Sequence, residues 1–454
     1  MLGPANLGAS AVLAGGVALY ATNEFLTISL LPSTVAEIGG QRLYAWVTTV
    51  YLVASVVAAT TVSATLTRLG PRWSYVTGLS VFGLGSLLCA LAPTMEFLLV
   101  GRTVQGAAGG LIAGLGYAVI NSALPQALWT KASALVSAMW GVGTLLGPAA
   151  GGLFAQYGSW RWAFGALLAM TVLIATIVPF ALPGRTTERE TPGDRIPVWS
   201  LLLLGAAALF VSVAGIPTDI AWTAALLGAG AALVAVFLVV DRRATASVLP
   251  PTAFRPGPLK WIYLTLGVLM AATMVDLYVP LFGQRLAGLV PVAAGFLGVS
   301  LAVGWTTSEI ASASIRATRV VRGIVAVAPM VMAVGLSLAA LTQVDDASIR
   351  AVTVWVVALV ITGIGVGMAW PHLSAWAMGG VDDPTEGGRA AAAINTVQLI
   401  FGAFGAGLAG IVVNAQGGGG AVASRWAFAV FAGLALLGLV ASFRATRAVG
   451  GAAA

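Results

Sequence analysis

Two carboxylates in this chain stand where lipid-facing sequence should carry none. Glu24 sits beside Asn23 in "YATNEFLTISLLP" (20–32), inside an apolar stretch from Ala9 to about Ile38, and Asp276 sits in "AATMVDLYVPLFG" (271–283). An ionisable side chain at the centre of a membrane span costs about 2.5 to 3.5 kcal/mol on insertion scales, so it normally faces a partner or a wet cavity. Arg102, in "LLVGRTVQGAAGG" (98–110), is the basic residue that falls inside such a span. Desolvation favours a neutral carboxyl and a nearby guanidinium favours the carboxylate. Competition between those two influences is what reversible proton binding requires, which makes Glu24, Asp276 and Arg102 the candidate proton-binding and coupling residues. The plainer alternative for each carboxylate is a structural hydrogen bond or ion pair within a helix bundle.

The elements that must position these groups are membrane helices. Of 454 residues, 59% are hydrophobic and 8% charged, with a mean hydropathy of +0.98, which excludes a water-soluble globule. A span needs roughly 20 apolar residues. Stretches of that length recur at roughly 10–37, 44–66, 73–92, 96–123, 132–156, 162–182, 198–215, 220–240, 259–282, 290–312, 323–341, 351–378, 390–413 and 425–443, a plan of fourteen transmembrane helices. At about 1.5 Å per residue Glu24 lies ~21 Å from the inner end of its span, and Arg102 ~9 Å below the outer end of its own. The matching helix of the second half would then set Asp276 opposite Glu24 across a central cavity.

Lys and Arg in the loops orient the plan, because they resist translocation. One set of loops holds sixteen of the 22 and the other five, with Arg102 inside a span, so both termini are expected in the cytoplasm. The net charge of +7 is scattered over short inner loops rather than gathered in a patch, so no nucleic-acid partner is expected. The lone cysteine, Cys89, supports neither a disulfide nor a thiolate metal site, and no metal site is expected. The first span has no basic segment before it and is too long for a signal sequence, so it is expected to stay in the mature protein.

Two polar breaks organise the chain. "LPGRTTERETPGDRIP" (182–197) carries three prolines and two glycines that oppose continuous helix, and "DRRATASVLPPTAFRPGPLK" (241–260) follows the eighth span. The predicted domains are a six-helix bundle (1–182), a cytoplasmic linker (183–197), a transmembrane hairpin (198–240), a second linker (241–258) and a second six-helix bundle (259–454). Such halves are what a transporter with parallel repeats shows. Small residues four apart occur in the fifth span of each half, at Gly143, Gly147 and Gly151 and at Gly402, Ala406 and Gly410, a spacing that lets helices approach closely.

Other polar residues carry less weight. Tyr20, Asn23, Asn121, Trp140, Asn395 and Gln398 are candidates to line a cavity for large lipophilic molecules, which suit apolar walls with few polar anchors; interfacial anchoring or helix packing is the competing account. His372, the only histidine, follows Trp370 and Pro371 and reads as a helix-end hydrogen-bonding residue rather than a proton relay. Glu96 and Asp219 fall near span ends, and Asp382, Asp383 and Glu386 in a solvated turn. No lysine occurs in a Gly-rich turn, so ATP is not the energy source and no cofactor is expected.

Several motifs resemble those of the major facilitator superfamily. "LLVGRTVQGAAGG" is similar to its fourth-helix motif through Arg102, Gln105 and Gly106, and "GTLLGPAAGG" (143–152) to its fifth-helix antiporter motif through Gly143, Gly147, Pro148, Gly151 and Gly152. "YGSWRWAF" (157–164) and "IGGQRLYAWVTTVYLVAS" (38–55) resemble segments of the fourteen-span drug:proton antiporter branch. The loop "SATLTRLGPR" (63–72) keeps Arg68, Gly70 and Arg72 of the inner-gate motif but has Thr67 where the family has an acidic residue; in the second half Glu309, in "SEIASASIRATRVVR" (308–322), is a candidate for that latch, against a plain interfacial carboxylate.

The resemblance implies a proton-driven exporter of lipophilic small molecules, working as a monomer in a bacterial inner membrane, with lipid, substrate and protons as its partners. Lipid or glycolipid export, and proton symport of a small solute, remain open beside it. A non-transporting receptor or scaffold leaves the charges inside spans unexplained, and an enzyme lacks a visible nucleophile and base or metal cluster.

Overall fold

The computed structural model describes residues 4–59, 61–123, 129–182, 197–216, 219–244, 246–381, 383 and 386–451. Every regular element among them is helical, as expected where backbone groups buried in lipid must be paired within their own segment. Twelve stretches among the described residues are long and apolar enough to cross a membrane, so the protein is a multi-pass membrane protein.

The first half of the chain comprises α1 (Pro4–Ile38), α2 (Trp46–Ala59), α3 (Val62–Ala90), α4 (Met95–Ala123), α5 (Trp129–Tyr157) and α6 (Trp160–Ala181). The linker 183–196 lies outside the described residues. Two apolar helices follow, α7 (Val198–Val213), which is shorter than the twelve, and α8 (Ile220–Arg243). The rest comprises α9 (Leu259–Thr273), α10 (Val279–Ala287), α11 (Pro291–Ala313), α12 (Thr318–Thr342), α13 (Ile349–Gly367), α14 (Trp370–Gly379), α15 (Gly387–Ala415) and α16 (Ala421–Gly451).

Four predicted elements are corrected. The span expected at 44–66 ends at Ala59, and the predicted loop 63–72 is largely helix within α3, interrupted at Gly70 (φ 74°, ψ 168°). Only glycine adopts that conformation without strain, Pro71 then restarts the helix, and Ser74 Oγ donates back across the break to the Gly70 carbonyl at 2.7 Å. The span expected at 259–282 is broken by a 3-10 turn, Met274–Tyr278, that contains Asp276. The span expected at 351–378 is broken between α13 and α14, where Pro371 at the start of α14 lacks the N–H a continuous helix needs.

Contacts divide the chain into two units, Met1–Val198 with Val290–Gly295, and Trp199–Leu289 with Phe296–Ala454, so the helices at 199–240 group with the second. In the first, α1 packs on α5, α6 and α4, α3 on α4 and α6, and α2 on α4. In the second, α9 packs on α15 and α16, and α12 on α13 and α16. Lipid gives no hydrophobic drive to helix association, so close packing at small residues must supply it. Cβ atoms at Gly106 and Gly110 of α4 would overlap the Tyr51 and Ser55 carbonyls of α2; at Gly363 and Gly367 of α13 they would overlap the Leu301 and Trp305 carbonyls of α11. Equivalent glycine pairs thus seat α4 on α2 in the first unit and α13 on α11 in the second.

Candidate functional site

Helix α1 presents two differently built faces around Glu24. On one, the glycines of α5 press into its backbone: a Cβ at Gly143 would lie 2.5 Å from Ala21 Cβ, at Gly147 2.6 Å from Phe25 Cβ, and at Gly151 2.8 Å from the Leu26 carbonyl oxygen. Ser29 Oγ donates to the Pro148 carbonyl at 3.4 Å in the same contact. Four residues of the antiporter-type pattern therefore hold α1 on both sides of Glu24, while the fifth, Gly152, meets Val292.

On the other face lies a buried polar network. Asn23, fully buried, has its Oδ1 3.1 Å from Arg102 Nη1 of α4 and accepts from it. Arg102 also donates through Nη1 to Gln105 Oε1 (2.8 Å) and through Nε to the Val47 carbonyl of α2 (3.3 Å), while its guanidinium carbon lies 4.3 Å from the Tyr51 ring centroid. Gln105, one helical turn after Arg102, donates from Nε2 to Ser86 Oγ of α3 at 2.8 Å. Tyr20 of α1 stands against Tyr51 with ring centroids 6.2 Å apart. A buried guanidinium is tolerable only with its donors satisfied, and here carbonyls, amides and a ring face serve.

Glu24 is half-buried and makes no hydrogen bond or close ion pair among the described residues, although it lies within electrostatic range of Arg102. Its carboxylate can therefore gain or lose a proton without breaking a fixed bond, within electrostatic range of Arg102.

Asp276 is built otherwise. Its 3-10 turn leaves Oδ1 buried with no hydrogen-bond partner among the described residues, facing Gly298 of α11, where a Cβ would lie 3.6 Å away. Aligning Gly363 with Gly106 puts Leu359, buried and apolar, at the place of Arg102. The second carboxylate thus has no arginine in the equivalent position.

The remaining candidates are dispersed. Arg68 is exposed, and Arg72 Nε donates to the Leu182 carbonyl at 3.0 Å. Glu309 accepts from Trp305 Nε1, one turn back in its own helix, at 2.9 Å. His372 Nε2 lies 2.8 Å from Ser312 Oγ, a helix-to-helix tie. Asn395 is exposed and Gln398 half-buried, while the side chains of Asn121 and Trp140, and Asp382, lie outside the described residues. On α15, Gly405 lies against the Ala271 carbonyl of α9, next to Ala406 of the predicted stripe of Gly402, Ala406 and Gly410. Glu386 is not the carboxylate of a solvated turn: its Oε2 accepts from Thr252 N (3.2 Å) and Oγ1 (2.9 Å). Asp219 caps α8 by accepting from Ala221 N at 2.7 Å.

Sequence reasoning missed Tyr51, Ser86 and Glu37. The first two belong to other helices and no local spacing announces them. Glu37, at the end of α1, pairs with Arg161, accepts from Trp160 Nε1 at 2.7 Å, and so engages the "SWRW" segment at the start of α6; the charge of Arg161 beside an aromatic was the available signal.

The two-unit helical plan and the carboxylate and arginine between packed spans define a membrane transporter. The family model of the Major Facilitator Superfamily matches residues 13–406, and the chain belongs to that superfamily. It is 63% identical over 445 residues to a probable multidrug-efflux transporter of Mycobacterium tuberculosis, covering 97% of this chain and 94% of that one. A multidrug transporter protein of Bacillus subtilis is 24% identical over 397 residues, covering 86% and 72% respectively. In fold it is similar to the crystal structure of the nucleoside transporter NupG (TM-score 0.67, 13% identity, 97% of this chain and 99% of that one) and to a bacterial homologue of the lysosomal transporter Spinster (TM-score 0.68, 13% identity, 98% of each).

Proposed function

We propose that the protein exports lipophilic small molecules across a bacterial inner membrane in exchange for protons, with Glu24 as the principal proton site and Asp276 as a second. The observation that carries this reading is the position of Glu24: α5 glycines lock the helix on both sides of it, and Arg102 is anchored to its neighbour Asn23. Protonation changes the charge beside Arg102 while the carboxylate itself has no fixed partner to lose. Exchange follows if proton and substrate each bind the two access states unequally. The names of the relatives in Mycobacterium tuberculosis and Bacillus subtilis support efflux as the direction and drugs as the substrate class.

In this reading α5 and α7 join the twelve stretches to complete fourteen spans, with α7 and α8 as an inserted hairpin, both termini cytoplasmic, and the protein acting as a monomer without cofactor. The inner gate is held by Arg68, Gly70 and Arg72, and Tyr20 and Asn23 border the substrate path.

Proteoliposomes loaded with a lipophilic cationic dye and given an imposed pH gradient test the assignment. Wild-type protein is expected to drive dye movement, and Glu24→Gln to abolish the gradient-dependent part. Undiminished gradient-driven transport by Glu24→Gln overturns the proton site.

A further inference from the structure

The second unit encloses a cavity of about 480 Å³, within the ~300 to 1,000 Å³ range of small-molecule sites. Its walls are apolar: Val234 and Phe237 of α8, Val248 and Phe254 of the segment after it, and Phe401 of α15. The linker predicted at 241–258 is thus in part a hydrophobic wall, held in place because Asp241 accepts from the Val248 and Leu249 amides at 2.7 and 3.0 Å. Two hydroxyls of the lining are already committed, Tyr263 to the Ala390 carbonyl at 3.0 Å and Thr396 to the Ala392 carbonyl at 3.3 Å. What remains is one charge, Lys260, at the start of α9.

Three observations say what fills this space. An apolar cavity does not hold ordered water. Only 11% of the apolar window of α8 is buried by protein, so the cavity wall that α8 forms borders lipid. Lys260, an exposed residue at the rim of the cavity, makes no ion pair among the described residues. A second cation shares an aromatic neighbour with it: Arg444 Cζ lies 4.5 Å and Lys260 Nζ 5.8 Å from the centroid of the Trp261 ring.

We propose that this cavity is a binding site for a phospholipid with an anionic headgroup, an acyl chain lying between α8 and the pair α9 and α15 and the phosphate meeting Lys260 and Arg444. The lipid supplies the contacts that protein does not make to α8. The proposal rests on the lining of this cavity and stands whether or not the transport reading does.

Native mass spectrometry of the full chain in detergent tests it with three probes: a palmitoyl-oleoyl phosphatidylglycerol, a phosphatidylcholine with the same chains, and glycerol phosphate without chains. The phosphatidylglycerol should be retained about fivefold or more over phosphatidylcholine, the scale set by one basic residue against an anionic lipid, and glycerol phosphate should not be retained. Lys260→Gln should remove that preference, Lys260→Arg should keep it, and Leu264→Trp, which fills the cavity, should lower retention of both lipids. Thermal unfolding of each variant checks that it is folded. Equal retention of the two lipids by wild type, retention unchanged in both Lys260→Gln and Leu264→Trp, or glycerol phosphate bound as well as the lipid would each overturn the proposal.

Discussion

Arg102 bonds Asn23, not Glu24: Nη1 lies 3.1 Å from Asn23 Oδ1, and no close ion pair joins the arginine to the carboxylate one residue further on. The amide therefore takes the hydrogen bond that a carboxylate would otherwise compete for. This arrangement keeps Glu24 from being locked as an ion pair, which would make proton uptake costly.

Replacement of Arg102 by lysine is predicted to abolish most transport despite conserving the charge. A lysine lacks the fork that reaches Asn23, Gln105 and Val47 together, and it leaves acceptors unpaired in a buried site at about 1 to 3 kcal/mol each. Dye efflux and thermal unfolding in detergent should both fall; wild-type behaviour in the two assays would show that the charge alone matters.

The α1 and α5 contact yields a paired prediction. Gly143→Ala places a methyl 2.5 Å from Ala21 Cβ and should cost about 1 to 3 kcal/mol of overpacking, visible as a lower unfolding temperature and reduced efflux. Gly141→Ala, with nothing within 4 Å of the added carbon, should be neutral or slightly stabilising. Equal effects at the two positions would remove the motif's packing role.

Glu37 and Arg161 are partly exposed, so their pairing should be weak. A double-mutant cycle with Glu37→Gln and Arg161→Gln is expected to give a coupling of about 0.2 to 1 kcal/mol that shrinks in high salt. A salt-independent coupling well above that range would mean the pair is a gate rather than a surface tie.

For His372, bound to Ser312, the expectation is that His372→Gln keeps both transport and its pH dependence. A displaced pH profile for dye efflux would restore the histidine as a proton relay.

Apolar run length made the helices legible in the sequence, and the cost of charge in lipid singled out Glu24, Asp276 and Arg102 as groups the bundle must accommodate, since both properties act locally. Glycines at helical spacing likewise announced close packing, and Gly143, Gly147 and Gly151 meet α1 as that spacing implied. Partner identity was not legible. Glu386 looked like a loop carboxylate until folding brought Thr252 to it, whereas the helix break at Asp276 does carry a local mark, Pro280, which has no N–H to give the Asp276 carbonyl four residues back.

By itself, then, the sequence determined that the chain crosses a membrane many times and which charges must be accommodated inside it, because hydrophobicity and backbone pairing are settled span by span. Tertiary structure alone decided that Arg102 binds Asn23, Gln105 and Val47, that Leu359 stands where a second arginine would be, and that a cavity opens beside Lys260. Those outcomes depend on which helix faces meet, and the meeting of faces is set by interlocking side chains that lie far apart along the chain.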